Sequence, residues 1–532
     1  MTAGRRKLAL AAWLAAALPG TCQQFTHLSG LVLDPSQSGI PGALITVVNE
    51  DTGFRRTAES RRSGAYGVAS LHPGRYKITV RKEGFRTAIR FGVRLDVSKP
   101  ARVDFELALG SVREEVTVEG SPPLLNTEDA SLGALVSREE IERLPLNGRA
   151  LLSLIELSPG VIATPATRGD AGQFTANGQR QNANYFTVDG VSANSGVIAG
   201  GLPALSTGGA LPGMTAFGSL HSLVPLEALA EFRVQTSTVV PEFGRMPGAQ
   251  ISLSTRSGTN ELRGSLAGYF RHEAMDANDW FANRGGFGRE PLRLGHAGAT
   301  FGGPIRKDRT FGFAAYEGLR LRQPFVARAA VPAVSPGETD QPWSRLVLGL
   351  FPPPNGRSLG PDVAEWTGRY RRPASFNAGS ARVDHALTDA ATVFGRYSQA
   401  PSASEYGAFQ IARISLQSRS LTFGANLRPI PSVILDSRWN FSRAGASSSW
   451  LLSDGAAGPR CLIEPVFRGL LGVAGLCDHF ARFSIAGVGQ TALGREGLTE
   501  QSQSQFIQTA NLNVSASTTA ARRPSAGSPR AC

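Results

Sequence analysis

The feature that most constrains this chain is a series of long segments after Gly258 in which apolar and polar residues alternate. Residues two apart on a strand point to the same face, so each segment predicts a strand with one apolar and one polar face. About eight or nine such strands follow Gly258, and strands of about ten residues, apolar outward and polar inward, are typical of a transmembrane β-barrel. A soluble sandwich is the alternative, although these strands are long for one.

Three segments show the alternation most clearly, at residues 311–322, 421–428 and 433–442. In the first, the apolar set that the pattern assigns to the outer face includes Phe311, Phe313 and Leu319. Short turns are predicted at residues 303–308 and 387–389, and longer outer loops at residues 276–288 and 324–373.

The N-terminus has the pattern of a secretory signal peptide. Arg5, Arg6 and Lys7 precede an apolar stretch at residues 8–18 that ends at Pro19. The stretch is too short for a spanning helix, so we assign residues 1–22 to a signal peptide and expect export.

Residues 24–110 predict a β-sandwich of about seven short strands separated by glycine turns. Strand candidates lie at residues 28–33, 43–49, 75–81 and 101–107. No cluster of aromatic residues marks a sugar platform, so a structural or docking module is favoured over sugar binding.

An extended, alternating segment follows the sandwich and leads into a linker at Pro122-Pro123. Its centre is Glu115, Val116, Thr117 and Val118. A strand with a free edge can pair with a partner's sheet through backbone hydrogen bonds. The alternative is that this segment is the last strand of the sandwich.

Residues 126–258 predict a compact α/β unit with many tight turns. An apolar helical patch at residues 151–157 stops at Ser158-Pro159-Gly160, and a strand alternates from Glu231 onward. The turn and strand motifs of this unit contain the following residues: Asn177, Gly178, Arg180, Asp189, Gly190, Glu242, Gly244 and Arg245.

In their order and in their residues, these motifs resemble the plug domain of TonB-dependent outer-membrane receptors. The resemblance is strongest to the Oar-like branch of that family. Residues 302–311 and 316–320 resemble the Oar-like barrel, and residues 30–85 resemble the carboxypeptidase-regulatory-like domain, which has a carbohydrate-binding-like fold. The resemblance implies that residues 115–118 are a TonB box. It predicts a mostly β chain with an N-terminal β-sandwich, a small α/β plug domain and a partial transmembrane β-barrel. The predicted divisions are 1–22 signal peptide, 24–110 sandwich, 111–125 TonB-box linker, 126–258 plug, 259–515 partial barrel and 516–532 aberrant tail.

The resemblance also implies a location and partners. We expect a receptor in the outer membrane of a Gram-negative bacterium, with the sandwich and TonB box in the periplasm. It would take up an unidentified external ligand, such as a carbohydrate or peptide, and would contact outer-membrane lipid and a TonB-type energy-coupling protein. The alternatives are an outer-membrane carbohydrate-binding or adhesion protein, or a non-functional receptor fragment.

Barrels of this receptor class have about 22 strands, more than this sequence predicts. The residues after Val514 are rich in Pro, Arg and Ser and show no strand pattern. We therefore expect a truncated receptor.

Other function classes find little support. The formal charge of +13 is scattered, with no motif for nucleic acid, and no catalytic, cofactor or metal-binding motif is present in the sequence. We therefore predict no enzyme, no cofactor and no nucleic-acid partner. Cys461 and Cys477 are a candidate disulfide that would contribute about 3 kcal/mol; two unpaired thiols are the equal alternative.

Overall fold

The computed structural model describes residues 26–512, apart from residues 98, 111–114, 119–131, 145, 147–148, 164–172, 196–210, 213–214, 217–219, 238–245, 279, 285, 287, 290, 408, 431–432 and 453–479. The predicted signal peptide and aberrant tail lie outside the described residues, as do Glu242, Gly244, Arg245, Cys461 and Cys477.

The N-terminal region is a β-sandwich, as predicted. Its strands are β1 (Thr26–Leu33), β2 (Leu44–Asn49), β3 (Arg55–Glu59), β4 (Ala65–Leu71), β5 (Gly74–Arg81), β6 (Thr87–Leu95), β7 (Ala101–Arg102), β8 (Phe105–Glu106) and β9 (Glu115–Val118). One sheet has the order β4-β1-β7, with β8 also paired to β1, and the other has the order β3-β2-β5-β6-β9. Alternate residues of β5, namely Tyr76, Ile78 and Val80, are fully buried between the sheets.

The predicted single strand at residues 101–107 is wrong, because two short strands occupy it. Both β7 and β8 run parallel to β1. Between them, the side chain of Asp104 accepts a hydrogen bond from the backbone N–H of Leu31 at 2.7 Å. A side-chain acceptor thus takes the place of a backbone carbonyl there, which interrupts the ladder.

The predicted plug region is a mixed α/β unit. Its helices are α1 (Arg138–Arg143) and α2 (Leu151–Ile155), with 3-10 turns at Gln181–Ala183, Leu220–Ser222 and Leu226–Ala228. Its strands are β10 (Leu132–Ser137), β11 (Val161–Ala163), β12 (Phe174–Ala176), β13 (Tyr185–Val188), β14 (Val191–Ser192), β15 (Asn194–Ser195), β16 (Leu211–Pro212), β17 (Leu229–Ser237) and β18 (Gln250–Thr255). The central sheet has the order β10-β17-β18-β13-β14, in which β13 is parallel to β18.

Local sequence explains where the plug helices begin and end. Ser137 caps α1 in a capping box with Glu140, whose side chain bonds back to the Ser137 N–H at 2.7 Å. Helix α2 lies within the predicted apolar patch and buries Leu151, Leu154 and Ile155.

The region after residue 258 forms one antiparallel sheet. Its strands are β19 (Arg263–His272), β20 (Arg293–Arg306), β21 (Thr310–Pro332), β22 (Val363–Thr388), β23 (Ala391–Gly407), β24 (Gln410–Ile430), β25 (Val433–Leu452), β26 (Phe480–Ile485) and β27 (Gly489–Leu512). Connecting segments contain α3 (Trp280–Arg284), α4 (Pro342–Leu348) and 3-10 turns at Glu273–Met275 and Pro336–Glu338. Within the described residues the order is β19-β20-β21-β22-β23-β24-β25-β27-β26, a nine-stranded sheet that agrees with the predicted eight or nine strands.

The two faces of this sheet have the polarity expected of an outer-membrane barrel. On β24 and β25, Phe423 and Trp439 are 43% and 48% exposed on the outer face, where their rings stack with centroids 5.8 Å apart. The inward neighbours Thr422 and Asn440 are buried and joined by a hydrogen bond of 3.0 Å. Apolar side chains on the outside and satisfied polar side chains on the inside suit a lipid surround. Among the described residues, no helix combines the length and apolar character needed to cross a bilayer.

Strand β21 departs from the predicted polarity. Phe311, Phe313 and Leu319 were assigned to the outer face, but all three are buried on the inner face, while Tyr316 is exposed on the outside. Phe313 belongs to the same apolar cluster as the plug core. The assignment fails for Phe313 because it packs on the plug, and for Leu319 because it packs against Phe376 of the neighbouring strand.

The extent of the predicted outer loop at residues 324–373 is also wrong. The ladder between β21 and β22 continues without interruption to the pair Pro332 and Val363. Residues 365–372 contain four charged residues and only two aromatic residues, Trp366 and Tyr370, so alternation indicates a strand only weakly there. Backbone pairing requires no such pattern, and the remaining loop covers residues 333–362 and contains α4.

The sandwich core offers a direct test of its packing. Ile78 is fully buried, and Ile78→Ala is expected to lower the free energy of unfolding of a polypeptide of residues 26–110 by about 3 kcal/mol, since it leaves a cavity. Urea unfolding measures the change. The exposed residue Arg81 at the end of the same strand supplies the control, Arg81→Ala, and an equal loss in both variants would contradict this packing.

Candidate functional site at the plug

The sandwich lies against the turn end of the barrel sheet. Arg56 donates hydrogen bonds to the carbonyl of Asp389 at 2.8 Å and to the side-chain oxygen of Asn426 at 2.6 Å. In return, Arg428 donates to the carbonyl of Thr57 at 3.1 Å. Each side of the contact thus donates hydrogen bonds from a guanidinium group to the other.

The sandwich also contacts the plug, at Glu231 on β17. The backbone N–H of Val97 donates to the Glu231 carboxylate at 2.5 Å, and the Arg94 guanidinium lies 3.9 Å from it. Burial raises the pKa of the Glu231 carboxyl to about 7, and the Asp96 carboxylate adds to the rise. The Val97 N–H and Arg94 oppose this rise without cancelling it.

The predicted TonB box is the edge strand β9 of the sandwich. Its backbone runs parallel to β6, with Glu115 opposite Thr87 and Val118 opposite Arg90. This pairing agrees with the alternative that the segment is the last strand of the sandwich. In the described part of the chain no strand pairs with its other edge, so it can still accept a partner strand, and its use as a TonB box stays a prediction.

The predicted plug motifs form two tight turns. Asp189 and Gly190 join β13 to β14 with φ angles of +49° and +82°, and Asn177 and Gly178 follow β12 with +49° and +76°. Asn, Asp and Gly are the residues that adopt this left-handed conformation most readily. Arg180 is exposed beside the second turn, and the structure gives it no contact with the first motif.

Asp189 connects the plug to the barrel wall. Its carboxylate accepts a hydrogen bond of 3.0 Å from the backbone N–H of Thr255. The Thr255 hydroxyl lies 3.0 Å from one carboxylate oxygen and 2.8 Å from the other. It also pairs with Arg396 of β23 at 2.7 Å and with Arg382 of β22 at 3.2 Å. Burial raises the pKa of Asp189, but the two guanidinium groups outweigh burial, so its pKa lies below the ordinary value. Arg382 has a second partner in Asp384 at 2.8 Å.

A second charged contact lies within the plug. The Arg149 guanidinium pairs with Glu227 at 2.8 Å, and Arg138 binds the other oxygen of the same carboxylate at 2.7 Å. Arg149 lies just before α2, and Glu227 lies in the 3-10 turn Leu226–Ala228. Their pairing was not predicted, because 78 positions separate them.

A third buried contact joins His221 of the plug to Glu317 and His296 of the wall. His296 lies 2.6 Å and His221 lies 3.8 Å from the same Glu317 oxygen. The His221 ring also contacts the Arg149 carbonyl at 2.8 Å. No sequence motif identifies these residues, because their spacing along the chain matches no metal or catalytic pattern.

Asp189 supports a stability prediction. Asp189→Asn is expected to destabilise the full chain by about 3 kcal/mol, because Arg396 loses its carboxylate partner in a buried site. The unfolding temperature in detergent, followed by intrinsic fluorescence, is the measurement. The exposed pair of Arg443 and Glu500, 2.7 Å apart, supplies the control Glu500→Gln, which is expected to cost no more than about 1 kcal/mol. Equal effects would contradict the role given to Asp189.

Glu231 supports a prediction about pH. Its pKa in the folded protein lies above the ordinary value of 4.5, so the folded state keeps a proton that the unfolded chain releases. The contact therefore loses stability as the pH rises from about 5 to about 7. Glu231→Gln keeps an acceptor for Val97 and removes the titration, so its unfolding temperature is expected to vary less over this range.

Scanning fluorimetry of the full chain at constant ionic strength measures this pH dependence. Glu139, the exposed partner of Arg94 at 3.2 Å, supplies the control Glu139→Gln, which should behave as the wild type. The same pH slope in wild type and Glu231→Gln would argue against Glu231 as the titrating group.

Two protein families match parts of the chain. The carboxypeptidase regulatory-like domain matches residues 27–108, which include β1 to β8. The outer membrane beta barrel domain matches residues 254–340, from the end of the plug sheet through β21. Both matches confirm the corresponding resemblances drawn from the sequence.

Similar proteins are outer-membrane transporters. The TonB-dependent transporter Oar of Myxococcus xanthus is 29% identical over 307 residues, which are 55% of this chain and 26% of the relative. The chain thus spans about a quarter of that relative's length.

Two solved structures are distantly similar. The outer membrane transporter YddB of Escherichia coli has a TM-score of 0.46 and 14% identity, over 71% of this chain and 45% of its own. FpvA of P. aeruginosa, bound to heterologous pyoverdines, has a TM-score of 0.40 and 12% identity, over 74% of this chain and 51% of its own.

Similarity to these proteins confirms the predicted mostly β fold class, and the relative that the chain spans in part is a transporter rather than an enzyme. The similarity also agrees with the predicted location in the outer membrane of a Gram-negative bacterium. In sequence and in domain order, the chain is similar to the TonB-dependent transporter Oar, and it contains regions that match a carboxypeptidase regulatory-like domain and an outer membrane beta barrel domain.

Proposed function

We propose that this chain acts in the uptake of an external ligand, as the sandwich, plug and part of the barrel of a transporter driven by a TonB-type protein. The proposal concerns a form with a closed barrel. In the described residues the sheet ends at β19 on one side and at β26 and β27 on the other. Unpaired backbone groups in hydrocarbon cost several kcal/mol each, so further strands must cover both ends.

The observation that carries this proposal is the position of β9. It is an edge strand between the sandwich and the plug, and its outer edge is open to another strand among the described residues. A partner strand gains affinity there from backbone hydrogen bonds, whatever the side chains. This is the chemistry that a TonB box requires.

A force on β9 would reach the plug through its first strand. The chain continues from β9 to β10, which is the end strand of the plug sheet and pairs only with β17 in the described structure. An end strand is held by a single ladder, so it can be removed without breaking the rest of the sheet. The remaining plug strands stay attached to the wall through Asp189 until that contact also breaks.

Proline substitution tests the coupling strand. In a full-length form, Val116→Pro or Val118→Pro is expected to weaken binding of the purified periplasmic domain of the TonB protein at least about tenfold, since each proline removes a backbone donor. Biolayer interferometry measures the affinity, and Val116→Ala is the control that keeps the backbone donor. Successive residues of a strand direct their N–H groups to opposite edges of that strand. Thr117→Pro therefore removes a donor from the edge opposite to the one that Val116 and Val118 supply.

Unchanged binding in all three proline variants would exclude this segment as the coupling strand. Loss of binding in the Val116 and Val118 variants alone, or in the Thr117 variant alone, would identify which edge of β9 the partner uses. Loss in the alanine control as well would show that the Val116 side chain, rather than the backbone, carries recognition.

A further inference from the structure

Three potential metal ligands meet at the boundary between plug and barrel wall. His221 lies in the 3-10 turn Leu220–Ser222 of the plug, His296 on β20 and Glu317 on β21. All three are buried, with exposed fractions of 3%, 3% and 0%. Their ligand atoms lie within 4.8 Å of one another. Such a grouping of two imidazoles and a carboxylate is costly to bury unless it is fully satisfied.

Both imidazoles approach the same oxygen of Glu317. The imidazole Nε2 of His296 lies 2.6 Å from Glu317 Oε1, and Nε2 of His221 lies 3.8 Å from it. The other oxygen of Glu317 accepts from the backbone N–H of Leu226 at 2.6 Å. That bond fixes the carboxylate so that Oε1 points at both imidazoles, as an outer-shell partner does in a metal site.

We propose that His221, His296 and Glu317 bind a divalent transition metal, with Zn²⁺ as the best-fitting ion. Two imidazoles with one carboxylate suit Zn²⁺, whereas Ca²⁺ and Mg²⁺ prefer oxygen ligands alone. Bond lengths of about 2.0–2.1 Å in a tetrahedral site place ligand atoms about 3.3 Å apart. The observed separations of 2.6 and 3.8 Å from Glu317 Oε1 lie on either side of that value, and all three ligand atoms lie within 4.8 Å of one another, so movements of the side chains alone can complete the site.

The fourth ligand position is next to the Arg149 carbonyl. This oxygen lies 2.8 Å from Nε2 of His221, so it can approach a metal bound to that nitrogen, and a water molecule is the other candidate. The His221 ring is held in place by Phe376, with ring centroids 4.9 Å apart. A metal here would join one plug segment to two adjacent wall strands and would hold the plug in the barrel.

Metal content of the full chain tests the proposal. After treatment with a chelator and dialysis against Zn²⁺, the wild type in detergent is expected to retain about one Zn²⁺ per chain through this site, with a higher unfolding temperature than the metal-free form. Inductively coupled plasma mass spectrometry of zinc gives the number of Zn²⁺ ions per chain. His296→Gln and Glu317→Gln are expected to lose at least about tenfold in affinity. His385, on β22, contacts Thr310 outside the cluster, so His385→Gln is the matched control and should bind as the wild type.

A second measurement covers the case in which these variants fail to fold. Co²⁺ bound to the wild type should give the visible absorption of a tetrahedral site with nitrogen ligands, and added Zn²⁺ should remove it while Mg²⁺ should not. No retained metal in the wild type, or undiminished binding in folded His296→Gln, would overturn the proposal and leave the three residues as a hydrogen-bonded contact only.

Discussion

Backbone hydrogen bonding is the constraint on which the rest of this structure depends. A strand in hydrocarbon has no water to satisfy its N–H and C=O groups, so every wall strand must pair with neighbours along its length. The nine-stranded sheet meets this requirement between its two end strands over the length that neighbouring strands share, within the described residues. Apolar side chains such as Phe423 and Trp439 lie on the outer face, and the charged network around Asp189 lies on the inner face.

The inner face is where plug and wall recognise each other. Glu317 and the two arginines at Asp189 are side chains that would be expensive to bury alone, and each is compensated by a group from the plug. The contact thus combines charge pairs and hydrogen bonds with the apolar packing of Phe313 and Ala315 on the plug core.

The sequence predicts those features that depend on local pattern. The β-sandwich and the strands near Phe423 follow from period-two alternation, and the turn at Asp189 and Gly190 follows from residues that tolerate a positive φ. What alternation cannot predict is which element faces a strand. Phe313 has the pattern of a lipid-facing residue and packs on the plug instead, because apolar surroundings of either kind select the same side chains.

Contacts between residues far apart in the chain cannot be predicted from local sequence patterns either. Asp189 and Arg382 are 193 positions apart, and nothing in the local sequence of either marks the other. Resemblance to a family identified Asp189 as part of a motif and gave no physical role for it. The role follows only from the wall strands that the fold brings around the plug.

The packing of Phe313 and Ala315 into the plug core has a consequence for assembly. These two wall residues complete an apolar cluster whose other members belong to the plug, including Phe232 and Leu253. A plug without the wall therefore lacks part of its apolar cluster and exposes the plug surface that β21 covers in the structure. The packing that stabilises the plug interior thus includes side chains from a strand that follows it in the chain.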